Sequence, residues 1–282
     1  MAEQRTTEGI GLQTLFEATL SAESLPLGEA LTRLYGDLAF DPRPEGPRIL
    51  GNFVSTLDGV VSLESGQSGG SAISGKNQSD LMVMGLLRAV ADVIIEGAGT
   101  LRAAPNSLLT AAHVFPALAD DYAALRQRLG LPPTPLNVIV SELGDLDLGL
   151  RIFQTGEVDV LILSTAEGAA SLLAKGLPAS VKVRAVPGQG NLNAKAMVEA
   201  IGAGKGQRWL LEGGPHLLAS FLKDHQLHEM FLTLAPQIAG RGPGSQRPGF
   251  AEGQCFAPGD PRWGTLVGVR KAQEHLFLRY AL

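Results

Sequence analysis

The sequence predicts a mixed α/β fold, with one largely parallel central sheet flanked by helices and antiparallel strands at its C-terminal end. Over most of the chain, short apolar runs alternate with helical patterns, and strands separated by helices of this length imply βαβ units. Near the C-terminus the alternation stops. Strand-like runs at 230–234, 265–271 and 275–280 follow one another with no helical pattern between them, which predicts antiparallel strands at an edge of the sheet.

The N-terminal segment is predicted to be separate from this sheet. Residues 11–40 carry apolar residues at helical spacing, and Pro42, Pro44 and Pro47 follow, where proline stops a helix and stiffens a linker. We therefore expect a helical appendage and Pro-rich linker over 1–48 and one α/β domain over 49–282. The appendage is expected to pack on the body of the protein or on a partner subunit.

The elements of the larger region follow in order along the chain. Strands are predicted at 49–54, 93–96, 136–140, 158–163, 181–186 and 208–212. Helices are predicted at 78–91, 120–129, 166–175, 194–203 and 215–223. Residues 240–260 contain many glycines and prolines and are predicted to form a surface loop.

The composition indicates a sizeable buried core and excludes several classes of protein. Of 282 residues, 45% are hydrophobic and 18% are charged, with a formal net charge of −5. Global disorder needs low hydrophobicity and high net charge, and a general nucleic-acid or anionic-membrane surface needs basic clusters that this chain lacks. The single cysteine, Cys255, excludes an internal disulfide framework. With neither a signal peptide nor a membrane-spanning apolar run, a soluble cytoplasmic protein is expected.

One construction occurs twice and is the most informative feature of the sequence. An apolar strand ends at Glu96 and continues Gly-Ala-Gly-Thr over 97–100, the first glycine turn. A second strand ends at Glu212 and continues Gly-Gly-Pro over 213–215, the second glycine turn. Glycines let backbone N–H groups approach a ligand, and a helix N-terminus opened by proline favours anions. If the strands are parallel, both turns lie at the carboxyl edge, where open α/β sheets bind ligands. Alternatively, the glycines only make tight turns.

Other candidate motifs are weaker. A dinucleotide fingerprint fails because Arg102 occupies the position of its third glycine, and a P-loop fails because Asn77 follows Gly-Lys where Ser or Thr is needed. His225 and His228 have no third ligand indicated and are expected at a solvated helix end, so no metal site is predicted. No Gly-x-Ser-x-Gly nucleophile elbow is present, and no catalytic residue is assigned.

Several motifs in a fixed order carry a family resemblance. They are FVSTLDG at 53–59, a Gly/Ser loop at 66–71 followed by Ile73 and Ser74, LLRA at 86–89, the two glycine turns, and Ala235-Pro236 with Gly240. From about residue 49 to the C-terminus the chain resembles the riboflavin-pathway pyrimidine reductases. These form the C-terminal domain of the bifunctional deaminase-reductase, with a dihydrofolate-reductase-like fold. The Gly-rich loop looks most like the stand-alone branch. The zinc-deaminase motif is absent from the sequence.

The resemblance implies an NADPH-dependent reductase similar to 5-amino-6-(5-phosphoribosylamino)uracil reductase, commonly a homodimer. It places Ser55, Ala72, Thr100, Gly214, Pro215, His216, Leu217, Leu218, Ala219 and Ser220 against NADPH. The glycine turns add Gly97, Gly99 and Gly213 to the expected cofactor contacts. Ser164 ends a strand with a hydroxyl and no acid, which is compatible with the cofactor 2′-phosphate.

On the substrate side, the resemblance places Gly70, Arg88 and Glu212 toward a pyrimidine ribityl- or ribosyl-phosphate. Asp58 is a further acid expected near the cleft. Arg88 could fork onto a phosphate or pair with Asp92 one helical turn later.

Two alternatives to this activity remain open. The family's acidic residue and second arginine after the first glycine turn are replaced by Ala104 and Ala111. This departure leaves open a reductase of another pterin or pyrimidine, such as a dihydrofolate-type enzyme. A non-catalytic nucleotide-binding module, with its N-terminal segment at an interface, is the second alternative.

Overall fold

The computed structural model describes residues 9–41, 45–63, 69–187, 192–202 and 204–282. Pro42 and Pro44 of the predicted linker and residues 66–68 of the Gly/Ser loop lie outside these residues. Within the described chain, ten strands form one sheet in the order β1-β9-β10-β8-β2-β7-β3-β4-β5-β6.

The strands are Gln13–Glu17 (β1), Arg48–Ser55 (β2), Val93–Gly97 (β3), Leu136–Val140 (β4), Val160–Ser164 (β5), Val181–Ala185 (β6), Arg208–Leu211 (β7), Glu229–Leu234 (β8), Thr265–Ala272 (β9) and His275–Ala281 (β10). The α-helices are Glu29–Tyr35 (α1), Gly69–Ile73 (α2), Gln78–Val90 (α3), Ala98–Ala103 (α4), Ala111–Val114 (α5), Ala119–Arg128 (α6), Arg151–Gln154 (α7), Ala166–Ala174 (α8), Ala194–Ile201 (α9) and Pro215–Lys223 (α10).

The sheet confirms the predicted fold class. Strands β8, β2, β7, β3, β4, β5 and β6 pair in parallel, whereas β8, β10, β9 and β1 pair antiparallel. The predicted strands and helices of 49–282 are present with ends within two residues of those expected. Parallel strands read as continuous apolar runs because helices cover both faces, and separate buried clusters accordingly lie on the two sides of the sheet.

The prediction of helix throughout 11–40 is wrong in its first half. Residues 13–17 form β1, which pairs with β9 and makes that strand internal to the sheet. Local preference is a weak guide to such a short exposed segment, and pairing with a neighbouring strand overrides it. The second half does contain a helix, α1, which buries Leu31, Leu34 and Tyr35. The division of the chain at residue 48 stays a prediction, although β1 belongs to the same sheet as the larger region.

Two further regions bear on the site. Helix α3 begins at a defined cap, because the Asn77 side chain accepts hydrogen bonds from the backbone N–H groups of Ser79 and Asp80 at 2.9 and 3.1 Å. Residues 240–260 contain neither helix nor strand, as predicted for a surface loop. None of the helices that the structure describes is long and apolar enough to cross a membrane.

Candidate functional site

A cleft of about 770 Å³ opens at the carboxyl ends of β2, β7, β3 and β4. Both glycine turns line it, which confirms that they meet at one edge of the sheet. The predicted site residues that line this cleft are Gly70, Gly97, Gly99, Thr100, Glu212, Gly213, Gly214, Pro215, His216, Leu217 and Ser220.

The two glycine turns touch each other. The Gly97 N–H donates to the Gly213 carbonyl at 3.2 Å. A Cβ atom on Gly213 would lie 2.7 Å from Thr100 Oγ1, whereas a Cβ on Gly99 would meet nothing within 4 Å. Gly213 is therefore required for packing, as the tight-turn alternative proposed, while Gly99 faces the open cleft.

The N-terminus of α10 is the strongest anion-binding feature of the cleft. Gly214 is its N-cap, Pro215 opens the helix, and no side chain in the described ranges caps the first turn. The first N–H groups of a helix have no partner within the helix, and its dipole favours negative charge there. His216 and Leu217 of this first turn line the cleft.

Glu212 is held by a buried ion pair. Arg88 Nη2 lies 2.8 Å from Glu212 Oε2, and the two side chains are 6% and 4% exposed. Arg88 Nε lies 3.1 and 3.0 Å from the two carboxylate oxygens, and its Nη1 donates to the carbonyls of Leu108 and Thr110.

Neither interpretation of Arg88 survives as stated. Its guanidinium is buried and engaged with Glu212, so it does not reach the cleft as a phosphate ligand. Asp92 is not its partner either, because the Asp92 carboxylate accepts hydrogen bonds from the backbone N–H groups of Gln207 and Arg208, both at 2.9 Å. Arg88 instead orients Glu212 and balances its charge.

Glu96 is a residue that sequence reasoning missed. Ile95 pairs with Leu211 across β3 and β7, so Glu96 and Glu212 follow side by side at the strand ends. Glu96 is 4% exposed, and its Oε1 has no hydrogen-bond partner among the residues that the structure describes. Burial and the neighbouring Glu212 charge raise the pKa of Glu96 to about 8, although Arg88 opposes the shift. The repeated glutamate before each glycine turn was the available signal.

Asp80 and Asn52 were also missed, and both line the cleft beyond Glu212. Asp80 is 7% exposed in the first turn of α3, and Asn52 is 9% exposed on β2. Burial raises the pKa of Asp80 to about 6, opposed by a hydrogen bond to the Thr233 side chain. An acid in the first turn of a helix is so common that its sequence position alone did not mark it.

Ser164 lies behind the cleft wall. It is completely buried, and its hydroxyl donates to the Glu142 carbonyl at 3.1 Å. The neighbours of β3 in the sheet are β7 and β4, and β5 lies one strand farther away, so Ser164 is not among the residues that line the cleft. The β4 end carries Ser141 and Glu142, and both line the cleft.

Asp58 ties two loops together and is not among the residues that line the cleft. Its carboxylate accepts hydrogen bonds from Thr56 Oγ1 at 2.6 Å and from the N–H groups of Ala239 and Gly240 at 3.1 and 2.8 Å. These bonds, that from Thr56 foremost, lower the pKa of Asp58 to about 2. Its contacts are thus internal to the protein.

The remaining predicted contacts do not line the cleft. Ser55 is buried and its hydroxyl donates to the Thr56 carbonyl, and Ala72 is half-buried in α2. Leu218 and Ala219 are fully buried on the inner face of α10. A run of helix residues presents only one side to a ligand, which explains why part of that run is buried.

Known proteins similar to this chain have the same fold. The chain is 25% identical over 210 residues to the 2,5-diamino-6-ribosylamino-4(3H)-pyrimidinone 5′-phosphate reductase of Archaeoglobus fulgidus, covering 74% of this chain and 88% of that protein. Acinetobacter baumannii RibD superposes with a TM-score of 0.64 at 19% identity, covering 84% of this chain and 58% of that one. A pyrimidine reductase-like protein from Corynebacterium diphtheriae superposes at 0.61 with 21% identity, covering 84% and 92%.

A match to a family model identifies the family. The RibD C-terminal domain model matches residues 47–254, which include β2 through β8, both glycine turns, and the Arg88–Glu212 pair. This chain therefore belongs to the RibD C-terminal domain family.

Proposed function

We propose that the protein is a riboflavin-pathway pyrimidine reductase that uses a reduced nicotinamide dinucleotide. The observation that carries the proposal is the cleft, which joins the uncapped N-terminus of α10 to the buried carboxylate of Glu212. The first site suits a dinucleotide pyrophosphate and the second suits the N–H edge of a pyrimidine. The name of the archaeal relative supports a ribosylaminopyrimidine phosphate as the substrate class.

The residues of the cleft fit such a cofactor. Gly99 leaves open space in front of the first glycine turn, and the backbone N–H groups of His216 and Leu217 would hold the pyrophosphate. When bound, the reduced nicotinamide supplies a hydride to the substrate. The family resemblance favours NADPH as the dinucleotide. It also favours a cytoplasmic homodimer.

The substrate end of the cleft supplies acceptors for a nitrogen heterocycle. Glu212 is oriented by its ion pair with Arg88 and would accept hydrogen bonds from ring N–H or amino groups. Asp80 and Asn52 lie along the same cleft. With a pKa of about 6, the Asp80 carboxyl can hold or release a proton near neutral pH, as reduction of a C=N bond requires at the nitrogen.

A dihydrofolate-type activity is the second candidate. The observation behind it is Asp80, because a buried carboxyl group can bind the amino-pyrimidine edge of a pterin. The same group can bind the corresponding edge of a ribosylaminopyrimidine. Where the family has an acidic residue and a second arginine, this chain has the uncharged Ala104 and Ala111. Ala111 is only 5% exposed.

Turnover assays decide between the candidates. We expect purified protein to oxidise the reduced dinucleotide with a ribosylaminopyrimidine 5′-phosphate and not with dihydrofolate. Glu212→Gln is expected to raise KM for the pyrimidine without changing the dissociation constant of the dinucleotide. Turnover with dihydrofolate alone would select the second candidate. Dinucleotide binding without turnover of either compound would instead indicate a non-catalytic nucleotide-binding module.

A further inference from the structure

One end of the cleft lies at β4, two strands from β7, which leads to Glu212. Gly97 and Val140 pair at the ends of β3 and β4, so the first glycine turn runs beside Ser141 and Glu142, at the strand spacing of about 5 Å. Ser141 and Glu142 both line the cleft. They lie on the opposite side of β3 from β7 and β2, the strands that end near the substrate acceptors.

This order of strands fixes the direction in which a dinucleotide lies. The nicotinamide must be next to the substrate, and the polar groups suited to a pyrimidine, Glu212, Asp80 and Asn52, are on the β7 and β2 side. With the pyrophosphate at the glycine turns, the adenosine and its ribose extend toward the β4 end. The 2′-position of that ribose, where NADPH carries its extra phosphate, is therefore near Ser141 and Glu142.

Glu142 is held in place at this end. Its backbone carbonyl accepts hydrogen bonds from Ser164 Oγ at 3.1 Å, from Thr165 Oγ1 at 2.8 Å and from the Thr165 N–H at 3.2 Å. Its half-buried side chain lines the cleft. In dinucleotide-binding sheets, an acid at the end of the strand beside the glycine turn accepts hydrogen bonds from ribose hydroxyls, and it repels a 2′-phosphate.

The charges around Glu142 also disfavour binding of a 2′-phosphate. Asp145 also lines this end of the cleft, so two carboxylates lie there. Among the described residues, two cations line the cleft, Arg102 and Lys223, and Arg102 Nη1 donates to the Asp145 carbonyl at 3.3 Å. The carboxyl groups of the cleft lining outnumber these cations: they belong to Asp80, Glu142, Asp145, Glu212, Asp224 and Glu252. The lining is therefore net negative, which is unfavourable for a phosphate dianion.

We propose that Glu142 makes this cofactor site discriminate against the 2′-phosphate, so that NADH binds at least as tightly as NADPH. The inference rests on the proposed function for the presence of a nicotinamide dinucleotide, but it departs from the NADPH expected from the family resemblance. Glu142 is thereby a specificity-determining residue for the cofactor.

The test is a comparison of dissociation constants, measured by titrating the purified full chain with NADH and with NADPH and following nicotinamide fluorescence. Glu142→Gln removes the negative charge and should shift the ratio of the two dissociation constants toward NADPH by about tenfold. In the native protein, repulsion between the Glu142 carboxylate and the 2′-phosphate should weaken NADPH binding by at least this factor. Glu142→Arg should shift it further. The matched control is Glu167→Gln, which removes the same charge from an exposed residue in the first turn of α8 and should leave the ratio unchanged.

Ionic strength gives a second readout. Because salt screens charge repulsion, the weaker NADPH binding of the native protein should approach that of NADH as salt is raised, and Glu142→Gln should lose this dependence. Tighter binding of NADPH by the native protein, with a ratio that Glu142→Gln does not move, would overturn the inference and leave the proposed function standing. Failure of both dinucleotides to bind would overturn the inference and the proposed function together.

Discussion

Glu96 and Glu212 stand side by side at the ends of two paired parallel strands, and only one of them has a cation of its own. Glu212 is paired with Arg88 at 2.8 Å, while the buried Glu96 Oε1 has no partner within the described part of the chain. Ionising both of two adjacent buried carboxyl groups that share one guanidinium has a high free-energy cost. The proton therefore stays on Glu96 at neutral pH.

This pair predicts a pH dependence of stability. The pKa of Glu96 is raised from 4.5 to about 8 in the fold, so between these values the unfolded chain releases a proton that the native protein keeps. Stability contributed by this group is therefore lost as pH rises from about 5 to 8, by up to about 1.4 kcal/mol per pH unit.

Glu96→Gln isolates this effect, because its amide stays neutral at every pH. The free energy of unfolding of the variant, measured in urea between pH 5 and 8.5, should rise relative to the native protein across that interval. Glu199→Gln, a change at an exposed position on α9, is the control. If the free energy of unfolding of Glu96→Gln and that of the native protein changed in parallel with pH, Glu96 would not be the group that keeps its proton in the fold.

The Arg88–Glu212 pair predicts a second, asymmetric effect. Arg88→Met should lower the free energy of unfolding by about 3–5 kcal/mol, because it leaves a buried carboxylate unpaired. The double variant Arg88→Met/Glu212→Leu should recover most of this loss in urea unfolding, but its affinity for the pyrimidine should be lower than that of the native protein because it lacks the Glu212 carboxylate. Equal destabilisation of the single and double variants would show that Arg88 acts through its other contacts, the carbonyls of Leu108 and Thr110.

Contact between the glycine turns predicts a packing effect that is separable from cofactor binding. Gly213→Ala places a methyl group 2.7 Å from Thr100 Oγ1 and should cost about 1–3 kcal/mol of stability. Adding Thr100→Ala removes the clashing atoms and should restore the thermal unfolding midpoint. If the second change does not restore it, the close approach is not the cause.

The anion site predicts a binding effect with little change in stability. Gly214→Asp puts a carboxylate at the N-terminus of α10 and should weaken dinucleotide binding by about tenfold or more, since like charges repel strongly in a cleft. Aspartate is also a favoured N-cap, so the thermal unfolding midpoint should not fall. Unchanged dinucleotide affinity would mean that the pyrophosphate does not bind at this helix.

The two halves of the N-terminal segment should differ in their contribution to stability. Leu31 on α1 is completely buried, whereas Leu15 on β1 is 51% exposed. Leu31→Ala should cost about 2–5 kcal/mol in urea unfolding, and the matched Leu15→Ala should stay within about 0.5 kcal/mol. Similar values for both would contradict the packing of α1 into the core.

Sequence patterns were most reliable where apolar periodicity and burial coincide. The strands beside the cleft are buried on both faces, so their continuous apolar runs located them and their parallel pairing. Strand β1 was missed because all five of its residues are exposed, and its place depends on hydrogen bonds to β9, which is distant in sequence.

At the site, local motifs predicted backbone features better than side-chain partners. The glycine turns were located correctly because glycine after a strand has few structural uses. Sequence patterns did not predict the surroundings of Arg88, Glu96 and Asp80. The partner of a buried charged group depends on which helix packs over which strand end, and local sequence does not show this. Ser164 was misplaced for the same reason, since the neighbour of β3 depends on strand order and not on order along the chain.

Asp58, which lies outside the cleft, bears on how that cleft receives a ligand. Its hydrogen bonds to Ala239 and Gly240 attach the start of the 240–260 loop to the turn after β2, and Pro248, Glu252 and Gly253 of that loop line the cleft. The conformational entropy of ordering this wall is thus lost when the chain folds and not when a ligand arrives. Binding to such a preorganised wall should need little rearrangement, so association is expected to be a single fast step with no slow closing phase.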